Sequence, residues 1–167
     1  EQVKGQLLDT LGWVCFYALS PNSPFKITPE TRQQALDWAE IFLLDEKSGT
    51  AQIGARVMKK LLERNGLRAD EAEKRLNLLV EKYNGLKDDS DETLRVALLN
   101  AMAGLVAQDS AYKVNAEKLY RQIFIEALNS KTDIVLESAI EGLANIDKTS
   151  ALITLRTRGF HNNPSAN

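Results

Sequence analysis

The stretch Val96-Ala97-Leu98-Leu99-Asn100-Ala101-Met102-Ala103-Gly104-Leu105 returns without a gap as Ile134-Val135-Leu136-Glu137-Ser138-Ala139-Ile140-Glu141-Gly142-Leu143. Gly142 falls on Gly104, 38 residues earlier, with small and large apolar residues on their counterparts around it. An offset near forty is the length of a two-helix unit, which cannot bury its apolar face alone and does so by stacking on its neighbours. The repeated segment therefore predicts an all-α fold of antiparallel helical hairpins, stacked in sequence order as a short α-solenoid.

Outward from these two segments, apolar residues three and four apart recur along the chain, and no run alternates in the manner of a strand. The stripes are Leu7/Leu8, Leu11, Val14/Cys15, Ala18; Ala35/Leu36, Ala39, Phe42/Leu43; Ile53, Val57, Leu61; Ala72, Leu76, Leu79/Val80, Tyr83; Leu94, Leu98, Ala101/Met102, Leu105; Ala116, Leu119/Tyr120, Ile123, Ala127; and Leu136, Ala139/Ile140, Leu143. Each marks the buried face of one helix, and about eight helices fit the chain. Residues 1–158 read as a single helical-repeat domain and 159–167, with no apolar period, as a flexible tail.

Capping chemistry agrees with the stripes. Thr28-Pro29-Glu30 sets a capping hydroxyl before a proline at the first helical position, where a missing N–H costs nothing. Asp70 with Glu73 and Asp89 with Glu92 have the spacing of capping boxes. Asn65-Gly66-Leu67 and Asn84-Gly85-Leu86 each follow a stripe, so the glycines are expected to end helices in the left-handed conformation.

The chain has 167 residues, 44% apolar and 26% charged, enough for one domain with a sizeable core. Its net charge of −2 supplies no global attraction to nucleic acid or to an anionic membrane. Cys15 is the only cysteine and lies in an apolar run, which excludes an internal disulfide and a thiolate metal site and makes it a buried hydrophobe. The longest apolar run, Trp13 to Leu19, is too short to span a bilayer, so no membrane is expected as a partner. The chain opens on Glu1 instead of Met, as a fragment or a processed product would. Its expected location is the cytoplasm.

Leu94-Arg95, Leu98, Ala101-Met102 and Gly104-Leu105, with Asp91 ahead of Arg95, resemble the inner helix of a HEAT repeat. Leu136, Ala139-Ile140 and Gly142-Leu143 repeat the pattern, with Asp133 standing where the arginine would be, so the resemblance covers about 91–146. It implies an α-solenoid of the HEAT and armadillo type, a fold that holds proteins or peptides on an extended concave surface.

Catalytic constellations are missing. His161 is the only histidine and lies in the tail, away from any rigid element. The chain holds no phosphate loop, dinucleotide glycine motif or zinc helix motif. The acidic run Asp88-Asp89-Ser90-Asp91-Glu92 lacks the mid-loop glycine and distal glutamate of a calcium hand and reads as helix capping. The expectation is a protein without enzymatic activity, cofactor or metal.

Two features are candidates for binding. Arg56, Lys60 and Arg64 recur every four residues on one helix face, and Arg68 continues the series past the turn. Like charges at this spacing repel, so the stripe needs an anionic neighbour. That neighbour is expected to be internal, from Glu63 and the acids of the following helix, with a phosphate or acidic partner as the other reading. The second feature is aromatic: Trp13 and Phe16, then Trp38, Ile41 and Leu44, widen the apolar faces of the first two helices almost all round. A helix apolar on every side must be covered on every side, which favours a place for this hairpin in the core. Otherwise it is a stack end covered by residues preceding Glu1 or by another chain, the latter allowing self-association through the hairpin.

The best-supported function is a scaffold or interaction module for another protein or peptide, working alone or as a piece of a larger assembly, with Arg95, Trp13, Trp38 and the basic stripe as its contacts. The second reading is a nucleic-acid binder resembling the HEAT-like DNA glycosylases, in which the stripe contacts phosphates and a tryptophan stacks on a base. The net charge disfavours it.

Overall fold

The structure is a computed structural model that describes residues 2–18, 22–63, 67–86, 91–107 and 110–157. The described residues form eight α-helices and no strand. In order they are α1 (Gln2–Ala18), α2 (Pro29–Leu44), α3 (Ser48–Leu62), α4 (Ala69–Asn84), α5 (Glu92–Leu105), α6 (Lys113–Ala127), α7 (Asp133–Ile146) and α8 (Lys148–Thr157). The chain is thus all-α, as the repeated segment requires.

The helices lie in two rows. α1, α3, α5 and α7 pack side by side as one row, and α2, α4 and α6 form a second, more loosely joined row across it. The tightest antiparallel pair is α2 with α3, so α1 is a lone helix at the head of the first row and packs mainly on α3. α8 closes the other end against α7. The two copies of the repeated segment, α5 and α7, are neighbours in the close-packed row. Ala101 and Ala139, and Leu105 and Leu143, are buried in both, but Asn100 is exposed where Ser138 is buried, and Leu99 is buried where Glu137 is exposed. α5 is flanked in its row on both sides and α7 on one, which is why the same sequence pattern buries different arcs.

One continuous apolar core runs from Leu8 to Ala151 through both rows, with Tyr120, Phe124, Leu36, Met58 and Met102 among its largest fully buried side chains. Cys15 is buried in it, and burial pushes its thiol pKa up, as a packing role requires. Polar side chains tie successive units by capping carbonyls at helix C-termini or by reaching into the core. Arg32, itself buried, donates to the Leu61 carbonyl at 3.1 Å, Lys82 to Asp45 at 2.8 Å, and Asn145 to Ala103 at 3.1 Å. The buried Tyr120 hydroxyl donates to the Leu76 carbonyl at 3.0 Å, and Tyr112 donates to Leu67 O while accepting from Leu67 N.

Helix ends follow the sequence in part. The Thr28 hydroxyl accepts from Thr31 N at 3.2 Å with Pro29 opening α2, as expected. α4 begins two residues earlier than an Asp70 cap would allow, and it is the Glu71 carboxylate that accepts from Arg68 N. α5 is capped by Asp91, which accepts from Leu94 N at 3.1 Å; Asp89 lies outside the described residues. Gly85 is right-handed, with φ −75° and ψ −12°, and α4 ends by tightening its last turn through Leu86 N to Tyr83 O instead of by a left-handed cap. Asn65, Gly66 and the tail from 159, with His161, lie outside the described residues.

α1 is turned away from the orientation its stripe suggests. Leu8, Gly12, Cys15 and Ala18 face inward, whereas Leu7 and Val14 are exposed. Glycine sets this rotation: a Cβ at Gly5 would meet the Ile53 side chain at 2.6 Å, and one at Gly12 would meet Val57 at 3.0 Å. α3 therefore approaches the bare backbone of α1, and a large residue on that face would hold the helices apart. The core expectation for the tryptophans fails. Trp13 and Trp38 are 44% and 50% exposed, because among the described residues no helix covers the outer sides of α1 and α2.

Candidate functional site

The first cluster forms where α1 crosses α3. Asp9, the only carboxylate on α1, accepts from Arg56 Nε at 3.0 Å and from Lys60 Nζ at 2.9 Å through the same oxygen. The Lys60 ammonium also sits 4.0 Å from the centroid of the Trp13 ring, a cation–π distance. Trp13 stacks in turn on Tyr17, with centroids 5.6 Å apart and planes 21° from parallel, and meets Phe16 edge-on at 5.8 Å. The Lys60 side chain is only 7% exposed, so its charge is spent inside the fold, while Arg56 keeps its outer edge in solvent.

Burial alone would push the Asp9 carboxyl up, but the hydrogen bond from Lys60 and the charge of Arg56 outweigh it and hold the group below its usual value. The anionic neighbour of the basic stripe is thus Asp9, from the preceding helix of the row. Glu63 pairs with Lys59 instead, at 3.4 Å. Arg68 is separate from the stripe, exposed at the start of α4 and paired with Asp70 at 2.7 Å. Arg64 lies outside the described residues. Trp38 stays apart from Trp13's cluster, on α2, whose Asp37 and Glu40 bind Arg75 and Lys74 of α4.

The second cluster surrounds Arg95. The C-terminal end of α4, the start of α5, the end of α6 and the start of α7 converge at one edge of the stack and enclose an open cleft of about 550 Å³. Arg95 lines it with its guanidinium carbon 5.3 Å from the centroid of the buried Tyr83 ring, which holds the charge in place. Lys131 adds a second cation, and Glu92 and Glu126 add carboxylates. Gln122 Nε2 donates to Glu126 at 2.9 Å and steadies it. The turn Asn129-Ser130-Lys131-Thr132 lines the far wall, with Ser130 Oγ accepting from Thr132 N, and Val135 supplies an apolar patch. The cleft therefore offers donors, acceptors, both signs of charge and an aromatic face within one open trough. Such a lining suits a polar, extended ligand better than a small apolar one.

No protein-family model, curated protein or solved structure matches the chain. Among the described residues no group of three or more His, Cys, Asp or Glu side chains is placed to hold a metal ion. No helix of the described residues is long and apolar enough to cross a membrane.

Of the sequence candidates, the structure brings together Trp13, Arg56 and Lys60, sets Arg95 in a cleft of its own, and leaves Arg68 and Trp38 apart. Sequence reading missed Asp9, although a lone carboxylate on an otherwise uncharged or basic helix was visible. It also missed Tyr83, Glu126 and Lys131, because the cleft forms between successive units and no local spacing connects them.

Proposed function

We propose that the chain is a helical-repeat binding module of HEAT-like type, without enzymatic activity of its own, that receives an extended segment of another protein in the Arg95 cleft. One observation carries this reading: an arginine held over a buried tyrosine at the rim of an open, mixed-charge trough built by two successive repeat units. Arginine and tyrosine are the residue types that anchor protein interfaces, and a fixed guanidinium loses little entropy on meeting a carboxylate or a main-chain carbonyl. The neighbouring positions of α5 and α7 in the close-packed row support the HEAT-like assignment. A single buried, reduced cysteine suits a module working in the cytoplasm within a larger protein or assembly.

Nucleic acid binding draws less support. Asp9 already pairs with both Arg56 and Lys60, so a phosphate would have to compete with a carboxylate for the same two cations.

Selection from a random peptide display library tests the proposal, with Arg95→Glu as the counter-target. Peptides enriched on the wild-type chain should bind Arg95→Glu at least tenfold more weakly and shift the backbone amide signals of Tyr83, Arg95 and residues 126–135. Peptides that bind both proteins equally, or a failure to enrich any, would remove the assignment, provided circular dichroism shows the variant folded.

A further inference from the structure

α1 carries two apolar faces. One packs into the fold through Leu8, Gly12, Cys15 and Ala18; the other consists of Val3, Leu7, Val14 and Tyr17, each between 53% and 67% exposed. With exposed Thr10 these outer residues fall at intervals of four, three, four and three, the a/d spacing of a coiled-coil seam over two heptads. The seam points nearly opposite to the glycine face that α3 occupies.

We propose that a second copy of this chain covers this face, the two α1 helices packing antiparallel along Val3, Leu7, Thr10, Val14 and Tyr17. A heptad seam is complementary to another heptad seam, so a two-fold axis through α1 brings together matching surfaces by construction. The flanking positions are Lys4, Gln6, Leu11 and Trp13, with a single charge among them. Antiparallel pairing puts the two Lys4 ammonium groups at opposite ends and opposes the helix dipoles, whereas parallel pairing sets like charges side by side. Thr10, polar within the seam, penalises slipped registers. The four apolar side chains of the seam keep between half and two thirds of their surface in solvent, and pairing covers that surface on both copies at once. Head-to-tail stacking has no such match among the described residues, where α8 spans ten residues and its exposed large apolar side chains are Leu152 and Ile153. This surface is distinct from the Arg95 cleft, and the inference stands independently of peptide binding.

Sedimentation velocity of the full chain across a concentration series tests the proposal. The wild type should convert from monomer to dimer, and the doubly substituted Leu7→Glu, Val14→Glu chain should dimerise at least a hundredfold more weakly with unchanged helical circular dichroism, because both residues are exposed. Pairing direction is read by oxidising an equimolar mixture of Leu7→Cys and Val14→Cys chains, positions that face each other across a two-fold axis at Thr10; mixed disulfides should dominate. A wild type that stays monomeric to several hundred micromolar, a dimer that survives the double substitution, or disulfides only between identical chains would each overturn the antiparallel α1 interface.

Discussion

Asp9 decides more than any other single side chain in the N-terminal part of the molecule. It is held below its usual pKa of 3.8, so its contribution to stability is present above the unfolded-state value and disappears as the pH falls through the folded one. Docking of α1 on α3 should therefore weaken below about pH 4, the range in which aspartate titrates. In a Trp38→Phe background, Trp13 fluorescence should show an acid transition there that Asp9→Asn lacks. At neutral pH, Asp9→Asn leaves the buried Lys60 ammonium with an uncharged partner and should cost about 2 kcal/mol in urea unfolding; a loss below about 0.5 kcal/mol would show that the pair contributes little. The sequence exposed one half of this arrangement, since the spacing of Arg56, Lys60 and Arg64 demanded an anion. Its source was hidden, because Asp9 is 47 residues from Arg56 and only the close approach of α1 to α3 brings them together. The buried Arg32 and Arg75 were hidden likewise: their partners are a main-chain carbonyl and an aspartate of neighbouring helices, contacts that leave no local signature.

At the scale of the element, glycines govern how helices approach. A Cβ at Gly54 would overlap the backbone of Phe42 and Leu43, which cannot move as a side-chain tip can. Gly54→Ala should thus force α2 and α3 apart and cost about 3 kcal/mol, the upper end for overpacking. Gly49, in the first turn of the same helix, has nothing within 4 Å of its would-be Cβ, and Gly49→Ala should stabilise by about 0.5 kcal/mol through helix propensity. Thermal denaturation of the two variants checks the contrast; equal melting temperatures would contradict the packing account. Helix existence was legible in every stripe because the apolar period reports burial directly. Orientation was legible where the buried face is built from large apolar residues, as in α5, and failed in α1, where the contact face includes Gly5 and Gly12 and the larger residues Leu7 and Val14 point outward. The end of α4 failed for a related reason: a glycine after a helix permits a left-handed cap without requiring one, and Gly85 instead extends the right-handed turn.

For the whole molecule, the offset between two ten-residue segments was enough to set the architecture, because a repeat length near forty admits few ways of burying two helices. What it could not reveal was which of the described helices lack a neighbour on one side. End helices share the composition of interior ones, and only the missing neighbour turns Trp13, Trp38 and the α1 seam into surface. Interior helices of the close-packed row, α3 and α5, have neighbours on both sides, whereas among the described residues α8 packs on α7 alone. Hydrogen exchange should accordingly be slowest in α3 and α5 and fastest in α8, as read by mass spectrometry; protection in α8 equal to that in α5 would refute the layered account. The asymmetry of the two rows has a mechanical consequence as well. α1, α3, α5 and α7 meet through close apolar contact, while α2, α4 and α6 are joined largely by long-armed pairs such as Lys74 with Glu40 and by the Tyr120 hydroxyl. Bending of the molecule should therefore be taken up by the second row, with the first row as the stiffer side.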